Sequence, residues 1–513
     1  MPRYKDHDYS QGRILPVDLE KQIQPGTFEY TVNALIDREI DLSVFDDKYR
    51  NDEIGAPAFD PAVLLKIILV AYSRGIISSR KIARACEENV LFIALSADSR
   101  PHFTTIANFV ATMGPYVVPI FRDVLAVCYA EGLIGKRMFA VDGCKISSNC
   151  SKEWSGSKAQ LRKKAEKIEK SVKVLLDRQR NTDAGNIEER SASERQKAVE
   201  HLQEKARKIR EWLSGHEERI GVSGKPVKSN LTDNESAKMP SGHGVIQGYN
   251  GLATVDDKHQ VVVDAQAFGD GTEASNLATV VETVKETFET LDGQLSIFDE
   301  TVLTADSGFH SEEGVKKLLD NNVDAYVADR KFRLRDPRYA SLQEHKSKTI
   351  DAKHTSKARK YFTADQFHFD STGTLICPAG KPMKSSCPNW KNHKGYTGRT
   401  FKGFEAECNA CTIRERCLRN PASRVRQVTK TEKGVRHGRV TATQRMIERF
   451  DSERGRYFYS RRMGTVEPVF ANIVQTMRMN RFTLRGRSKV DTQWKLYCIV
   501  HNVGKIARYG ANR

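Results

Sequence analysis

No stretch of this 513-residue chain is apolar for long enough to cross a bilayer. Val63-Leu-Leu-Lys66-Ile-Ile-Leu-Val-Ala-Tyr72 is interrupted by a lysine and falls short of the roughly 20 residues that a spanning helix needs. The N-terminal stretch MPRYKDHDYS has none of the apolar core of a secretory signal. These absences argue against a membrane partner. They set the expectation of a cytoplasmic protein whose ten cysteines stay reduced. Acidic residues are also in deficit. Sixty-five Asp and Glu face 83 Lys and Arg, a formal net charge of +18 with a pI near 9.3. Such an excess points to a polyanionic partner, most often nucleic acid; the alternative is a basic surface kept for solubility. Material for a core is present, at 39% hydrophobic residues, and the length predicts three or so units at roughly 150 residues per domain.

Residues 1–135 read as helical. Asp60-Pro61 is a helix start, with Asp60 as cap and Pro61 in the first turn, and Gly75 is the break. Ser78 or Ser79 is expected to cap a second helix and Thr104 a third. Short helices with tight turns fit a helix-turn-helix module or an ordinary bundle. Strand texture begins at Lys136. From about 157 to 221 it is interrupted by two arms of heptad spacing, Leu161, Ala165, Ile168, Val172, Leu175 and then Val199, Leu202, Ala206, Ile209, Leu213. With Asn181–Gly185 between them, an antiparallel helical hairpin is predicted. Its lysines and arginines, Lys163, Lys164, Lys167, Lys170, Arg207, Lys208 and Arg210, suit either DNA phosphates or a solvated face. Strands at Val245–Val255 and Val261–Phe268 flank a turn at Asp256–His259 and should pair antiparallel. A helix, a strand ending at Asp306, a helix and a strand at Val323–Ala328 follow. That order predicts an α/β fold with a ribonuclease-H-like core over 136–330, if the hairpin is an insertion after the first strand. Residues 331–450 read as a basic, loop-rich insertion, and 451–513 as the C-terminal helical part of the core.

Three carboxylates stand beside apolar runs: Asp142 after Met138-Phe-Ala-Val, Asp306 after Thr301-Val-Leu-Thr-Ala, and Glu467 in Gly464-Thr-Val-Glu-Pro-Val-Phe470. A short acid at a strand end is held rigidly, as a metal ligand must be. Two such acids on neighbouring strands repel unless cations sit between them. Hard oxygen donors suit Mg²⁺, with Mn²⁺ as the alternative, and two ions a few ångströms apart can activate an attacking hydroxyl and stabilise a leaving oxygen on a phosphodiester. Any one of these acids could instead be a loop cap. Asp264 is the rival for a strand position, and Glu448 and Glu453 compete for the third. Asp256, Asp257 and Asp270 read as turn residues. A second metal candidate is the set Cys377, Cys408, Cys411 and Cys417, whose thiolates could hold Zn²⁺ tetrahedrally or stay reduced and metal-free. Cys86, Cys128 and Cys498 lie in apolar helical text and read as core.

Ala58-Phe-Asp-Pro-Ala-Val-Leu-Leu-Lys66, Ala71-Tyr-Ser-Arg-Gly-Ile-Ile-Ser-Ser-Arg80, Pro101-His-Phe-Thr-Thr-Ile106, Val141-Asp-Gly-Cys-Lys-Ile-Ser-Ser-Asn149, Gly248-Tyr-Asn250, Ala305-Asp-Ser-Gly-Phe309, the cysteine cluster and Val466-Glu-Pro-Val-Phe470 occur in that order. Together they resemble the bacterial insertion-sequence transposases of the DDE class, with an InsH-like N-terminal domain. The resemblance implies a ribonuclease-H-like fold and Mg²⁺-dependent phosphodiester hydrolysis and strand transfer at the ends of a mobile element. It implies Asp142, Asp306 and Glu467 as catalytic metal ligands, DNA ends and target DNA as partners, and a homo-oligomer. The tyrosine and arginine expected before the glutamate fall off the usual offsets (Tyr459, Arg461, Arg462). The lysine position after it holds Val474, for which Arg478 or Arg481 could substitute. No nucleophile motif is evident, and this chemistry needs none. A DNA-binding derivative without catalysis, or a nuclease without joining, are the alternative readings.

Overall fold

Asp60 and Pro61 start the central helix of the N-terminal region. In the computed structural model the Asp60 carboxylate accepts the Ala62 N–H at 2.7 Å, and the helix that follows is buried all round from Leu64 to Tyr72. A helix apolar on every face needs neighbours on every face. The described residues are 17–49, 57–182, 189–220, 224, 226–242, 244–293, 297–339, 361–392, 395–432, 435–436 and 439–510. They fall into two compact units, one within Met1–Glu273, Thr279–Leu303 and Arg461–Arg513, the other within Ala274–Ala278 and Thr304–Ser460.

The first unit begins with α1 (Phe28–Arg38), α2 (Pro61–Ser73), α3 (Ser79–Glu88), α4 (Val90–Leu95), α5 (Phe103–Ala111) and α6 (Gly114–Ala130). Two details differ from the sequence expectation. Ser78 holds the cap position of α3, but its side chain makes no capping bond. The helix expected to be capped by Thr104, α5, starts two residues earlier than that cap would allow. His102 is its cap, and its Nδ1 lies 2.7 Å from the Thr104 hydroxyl.

The sheet of this unit is built around β5 (Gly244–Asp256). On one edge β5 pairs antiparallel with β1 (Met138–Ser147); on the other it pairs with β4 (Ala237–Ser241) and then β6 (Val262–Phe268). Asp256 ties the β5–β6 turn down, accepting the Gly135 and Lys136 N–H groups at 3.0 Å each. Two short strands, β2 (Ser155–Gly156) and β3 (Ser229–Asn230), pair with each other. Between them run α7 (Lys158–Thr182) and α8 (Glu189–Gly215). These two helices bury Leu161, Ala165, Ile209 and Trp212 against one another. Of the turn expected at Asn181–Gly185, residues 183–185 lie outside the described residues. Helix α9 (Leu277–Asp292) follows the sheet hairpin.

The last helix, Arg487–Tyr509, is buried along most of its length, from Val490 to Val503. It packs on α2, α6 and β6. Trp494 donates its indole N–H to the Leu252 carbonyl of β5 at 2.8 Å, and Tyr497 stacks on Tyr72 with centroids 4.6 Å apart. Asn502 bonds both the N–H and the carbonyl of Val262 at 2.8 Å, which pins β6 to this helix. No single helix among the described residues is long and apolar enough to cross a membrane.

Strand β7 (Val302–Ala305) passes from one unit into the other between Leu303 and Thr304. Its start lies beside the entry to β1, where the Val302 N–H donates to the Arg137 carbonyl at 3.2 Å. In the second unit α10 (Glu312–Asp320) and β8 (Ala325–Val327) follow. The stretch read as loop-rich forms an antiparallel sheet of β9 (His368–Phe369), β10 (Leu375–Ile376), β11 (Pro382–Lys391), β12 (Thr397–Lys402) and β13 (Gln427–Thr431) in the order β13-β12-β11-β10-β9. The chain is therefore a mixed α/β protein with a helical N-terminal region.

Candidate active site

Strand β1 delivers Asp142. Met138 through Val141 are fully buried, and burial ends at Asp142, which sits opposite Ala253 of β5. Its Oδ1 accepts the N–H of Gly143 at 2.8 Å, and its Oδ2 accepts from Arg462 Nη1 at 2.6 Å. The Arg462 side chain is 6% exposed and that of Asp142 21%. A guanidinium that deep requires an anion, because removing one partner leaves an uncompensated buried charge. Gly143 is needed for close approach. A Cβ there would stand 2.7 Å from both Asn250 Oδ1 and Leu252 Cδ2, and 2.9 Å from Glu273 Oε1. Asn250 Nδ2 donates to that Glu273 carboxylate at 2.8 Å.

Arg462 comes from the helix Glu453–Ala471, which also carries Glu467. Arg462, Thr465, Val466 and Val469 turn inward, and Glu467 is exposed. Pro468 lies inside this helix and has no N–H for the Gly464 carbonyl one turn back. Gln260 supplies the missing donor, its Nε2 reaching the Gly464 oxygen at 3.2 Å. Phe470 lies against Trp494, with ring planes 17° apart and centroids at 6.3 Å. Trp494 in turn fills the space that a Cβ on Gly251 of β5 would claim at 2.9 Å. Within the first unit, a packed path thus links the strand opposite Asp142 to the helix that bears Glu467. That helix is followed by a π turn, Asn472–Thr476, which contains Val474.

Asp306 belongs to the second unit, three residues beyond Leu303. Its Oδ1 accepts the Gly308 N–H at 2.7 Å and its carbonyl accepts the Phe309 N–H at 3.2 Å, so it shapes its own turn. The structure brings Asp142 together with Arg462. Among the described residues no group of three or more His, Cys, Asp or Glu side chains is arranged to hold a metal ion.

The rival acids are otherwise engaged. Asp264 is buried on β6, where burial pushes its carboxyl up to about 7 against the pull of Lys495. Asp257 is paired with Arg137. Glu448 accepts from Gln444 at 2.9 Å, and Glu453 opens the first turn of the Glu453–Ala471 helix. Cys86, Cys128 and Cys498 are buried. Cys377, Cys408, Cys411 and Cys417 all line one cavity of about 40 Å³ in the second unit.

Basic residues divide into two kinds. On the helical hairpin Arg207, Lys208 and Arg210 are ion-paired with Glu211, Glu204 and Glu169. Arg481 and Arg485 instead grip the segment leaving β1. Arg481 Nη2 donates to Asn149 Oδ1 at 3.0 Å, and Arg485 Nε to the Asn149 carbonyl at 2.7 Å. The side chain of Arg478, a residue at φ +57°, packs against Gly75.

Sequence reasoning missed the direct partnership of Arg462 with Asp142 and the approach of Glu273 to Gly143. Asn250 stood in a noted motif, but its tie to Glu273 depends on strand register, which no local pattern encodes.

Comparison with protein families gives two matches. Residues 376–507 match the family described as Transposase DDE domain, a span that takes in the four cysteines and the helix of Glu467. Residues 17–112 match the family described as Transposase domain (DUF772), which covers α1 to α5. No curated protein matches the chain.

Proposed function

We propose, for a chain whose two matched domains make it an insertion-sequence DDE transposase, that Asp142, Asp306 and Glu467 hold two divalent cations and that the protein cleaves and joins DNA at the ends of its element. The observation that carries this reading is Asp142. It follows the four buried residues that open β1, and it already recruits a cationic group from the helix of Glu467. The donors fit the ion, since carboxylate oxygens are hard ligands of the kind Mg²⁺ and Mn²⁺ take. The DDE family normally uses a divalent metal. When bound, the pair of ions supplies activation of the attacking oxygen and charge relief at the leaving one.

The chain's own residues orient the groups. Arg462 and the Gly143 N–H fix the Asp142 carboxylate, and the Gln260 bond holds the Pro468 turn that presents Glu467. In the first displacement a water oxygen forms a bond to phosphorus as the P–O3′ bond breaks, leaving a 3′-hydroxyl. In the second, that hydroxyl attacks a target phosphodiester, and one ester bond replaces another. Neither step needs a protein nucleophile. The element order of strand, hairpin strands, helix, strand supports a ribonuclease-H-like core, and a homo-oligomer is expected to hold paired ends.

The test is a strand-transfer assay with Mg²⁺ and pre-cleaved ends from the element's own flanks, alongside a gel shift. Asp142→Asn, Asp306→Asn and Glu467→Gln should each abolish joined product while the shift persists. Wild-type joining in any of the three refutes the ligand assignment. Binding without cleavage by the unmodified chain would mark an inactive derivative, and cleavage without joining a nuclease.

A further inference from the structure

Residues 361–432 carry a five-stranded sheet on a very small core. Phe367, Leu375, Met383, Phe401 and Val428 are its buried cluster, with Phe362, Cys377 and Cys417 packed at the edge. Cores this small need a staple, such as disulfides or a metal. The cysteines of this region are free thiols.

Cys377, Cys408, Cys411 and Cys417 arrive at one cavity from separate turns. Cys377 opens a tight turn in which its carbonyl accepts the Gly380 N–H at 2.8 Å, Gly380 sits at φ +75°, and its Sγ accepts the Lys381 N–H at 3.4 Å. A backbone N–H aimed at sulfur is the second contact that orients a thiolate ligand. Cys408 lies on a short helix, Glu405–Asn409, Cys411 follows that helix, and Cys417 ends the helix Arg414–Cys417. The Arg414 guanidinium braces this segment, donating to the Cys408 carbonyl at 2.8 Å. The cavity is otherwise walled by apolar groups such as Met383, Ile413 and Leu418, by the cations Lys381, Arg414 and Arg426, and by the Glu407 carboxylate.

We propose that Cys377, Cys408, Cys411 and Cys417, which line one cavity without already standing as a metal-holding group, draw together on one Zn²⁺ as a structural site that staples the 361–432 sheet. Four soft thiolates and no open position select zinc in tetrahedral geometry, with Zn–S bonds of about 2.3 Å. Loading converts four thiols to thiolates, releases four protons to solvent and changes no oxidation state. The bound centre carries two net negative charges, which Lys381, Arg414 and Arg426 offset. The site does not depend on the carboxylate assignment.

Metal analysis of the full-length chain, purified from zinc-supplemented medium without chelator, should find about one zinc per chain. Cys411→Ser and Cys417→Ser should each lose it. Cys387→Ser, on β11 and away from the cavity, should keep it. Replacement by Co²⁺ should add thiolate-to-metal charge-transfer absorption and the visible bands of a tetrahedral ion. Native thiol titration of the wild-type chain is the independent reading, because it does not depend on the folding of a serine variant. The four thiols should be protected until a strong chelator removes the metal. A zinc-free wild-type chain with all its cavity thiols reactive, or a Cys387→Ser variant that loses zinc as fully as Cys411→Ser, overturns the proposal.

Discussion

Between pH 4 and pH 7 two buried groups of the first unit should pull its stability in opposite directions, and removing one should expose the other. Asp264 on β6 is fully buried beside Asp491 and Lys495, and burial raises its carboxyl from 3.8 to about 7. A raised folded pKa gives stability that is complete below the unfolded value and is lost as pH climbs through the folded one. A shift of about three units at 1.36 kcal/mol each makes that loss about 4 kcal/mol between pH 4 and 7. His501 behaves inversely. Its Nε2 donates to the Gln260 carbonyl at 2.9 Å and its Nδ1 accepts from Asn472 at 3.0 Å, an arrangement for the neutral ring. Burial lowers it from 6.5 to about 4. Its contribution is therefore complete above pH 6.5 and is lost as pH falls towards 4, about 3 kcal/mol in all. The two slopes nearly cancel in the wild-type chain. Asp264→Asn should match wild-type stability near pH 4, where the carboxyl is protonated, and should gain about 4 kcal/mol over it by pH 7. Urea unfolding of both proteins across this range measures the difference, and titrating surface groups drop out because they are shared. Equal pH slopes for variant and wild type would show that Asp264 is not buried as a neutral acid.

The Asp142–Arg462 pair predicts an asymmetric double-mutant cycle. Asp142→Ala takes an anion from a nearly buried guanidinium and should cost about 3–5 kcal/mol, whereas Arg462→Met leaves a partly hydrated carboxylate and should cost less. The double variant should be more stable than Asp142→Ala alone, as read by hydrogen exchange of β1 amides; additive losses would refute the pair. Gly143→Ala should cost about 1–3 kcal/mol by overpacking against Leu252 and Asn250. An unchanged unfolding midpoint would mean that this side of β1 is looser than the structure has it.

Local patterns disclosed the elements that make their own bonds. Asp60-Pro61 is a cap and a first turn within four residues, and the Asp256–His259 turn announces its hairpin. The alternation of apolar heptads gave α7 and α8. What failed to register was bonding over long sequence distance. In the sheet of residues 368–431 β9 and β10 have two residues each and the longer β11 is exposed over most of its length, so period-two alternation never accumulates. His102 capped α5 with an imidazole, which propensity ranks below the nearby threonine. The acids of the candidate site were legible because an isolated carboxylate after an apolar run is conspicuous. Arg462 was not, because its role depends on the phase of a helix that contains a proline and on a partner 320 positions away.

Charge needs the same distinction between count and placement. A net +18 suggests a broad surface for polyanions, yet three bases of α8, Arg207, Lys208 and Arg210, are paired with acids of the hairpin itself. Exposed pairs of this kind add little stability, but they lower the local field. The arginines with structural consequence lie elsewhere. Arg481 and Arg485 bond the Ser148–Asn149 segment only six or seven residues beyond Asp142. An isolated parallel bridge between Ser147 and Arg481 joins the arginine segment to the end of β1. A phosphate chain drawn to these guanidiniums would meet the exit of the strand that carries the first carboxylate. The excess of positive charge therefore matters less as a total than through the few residues that the fold ties to β1.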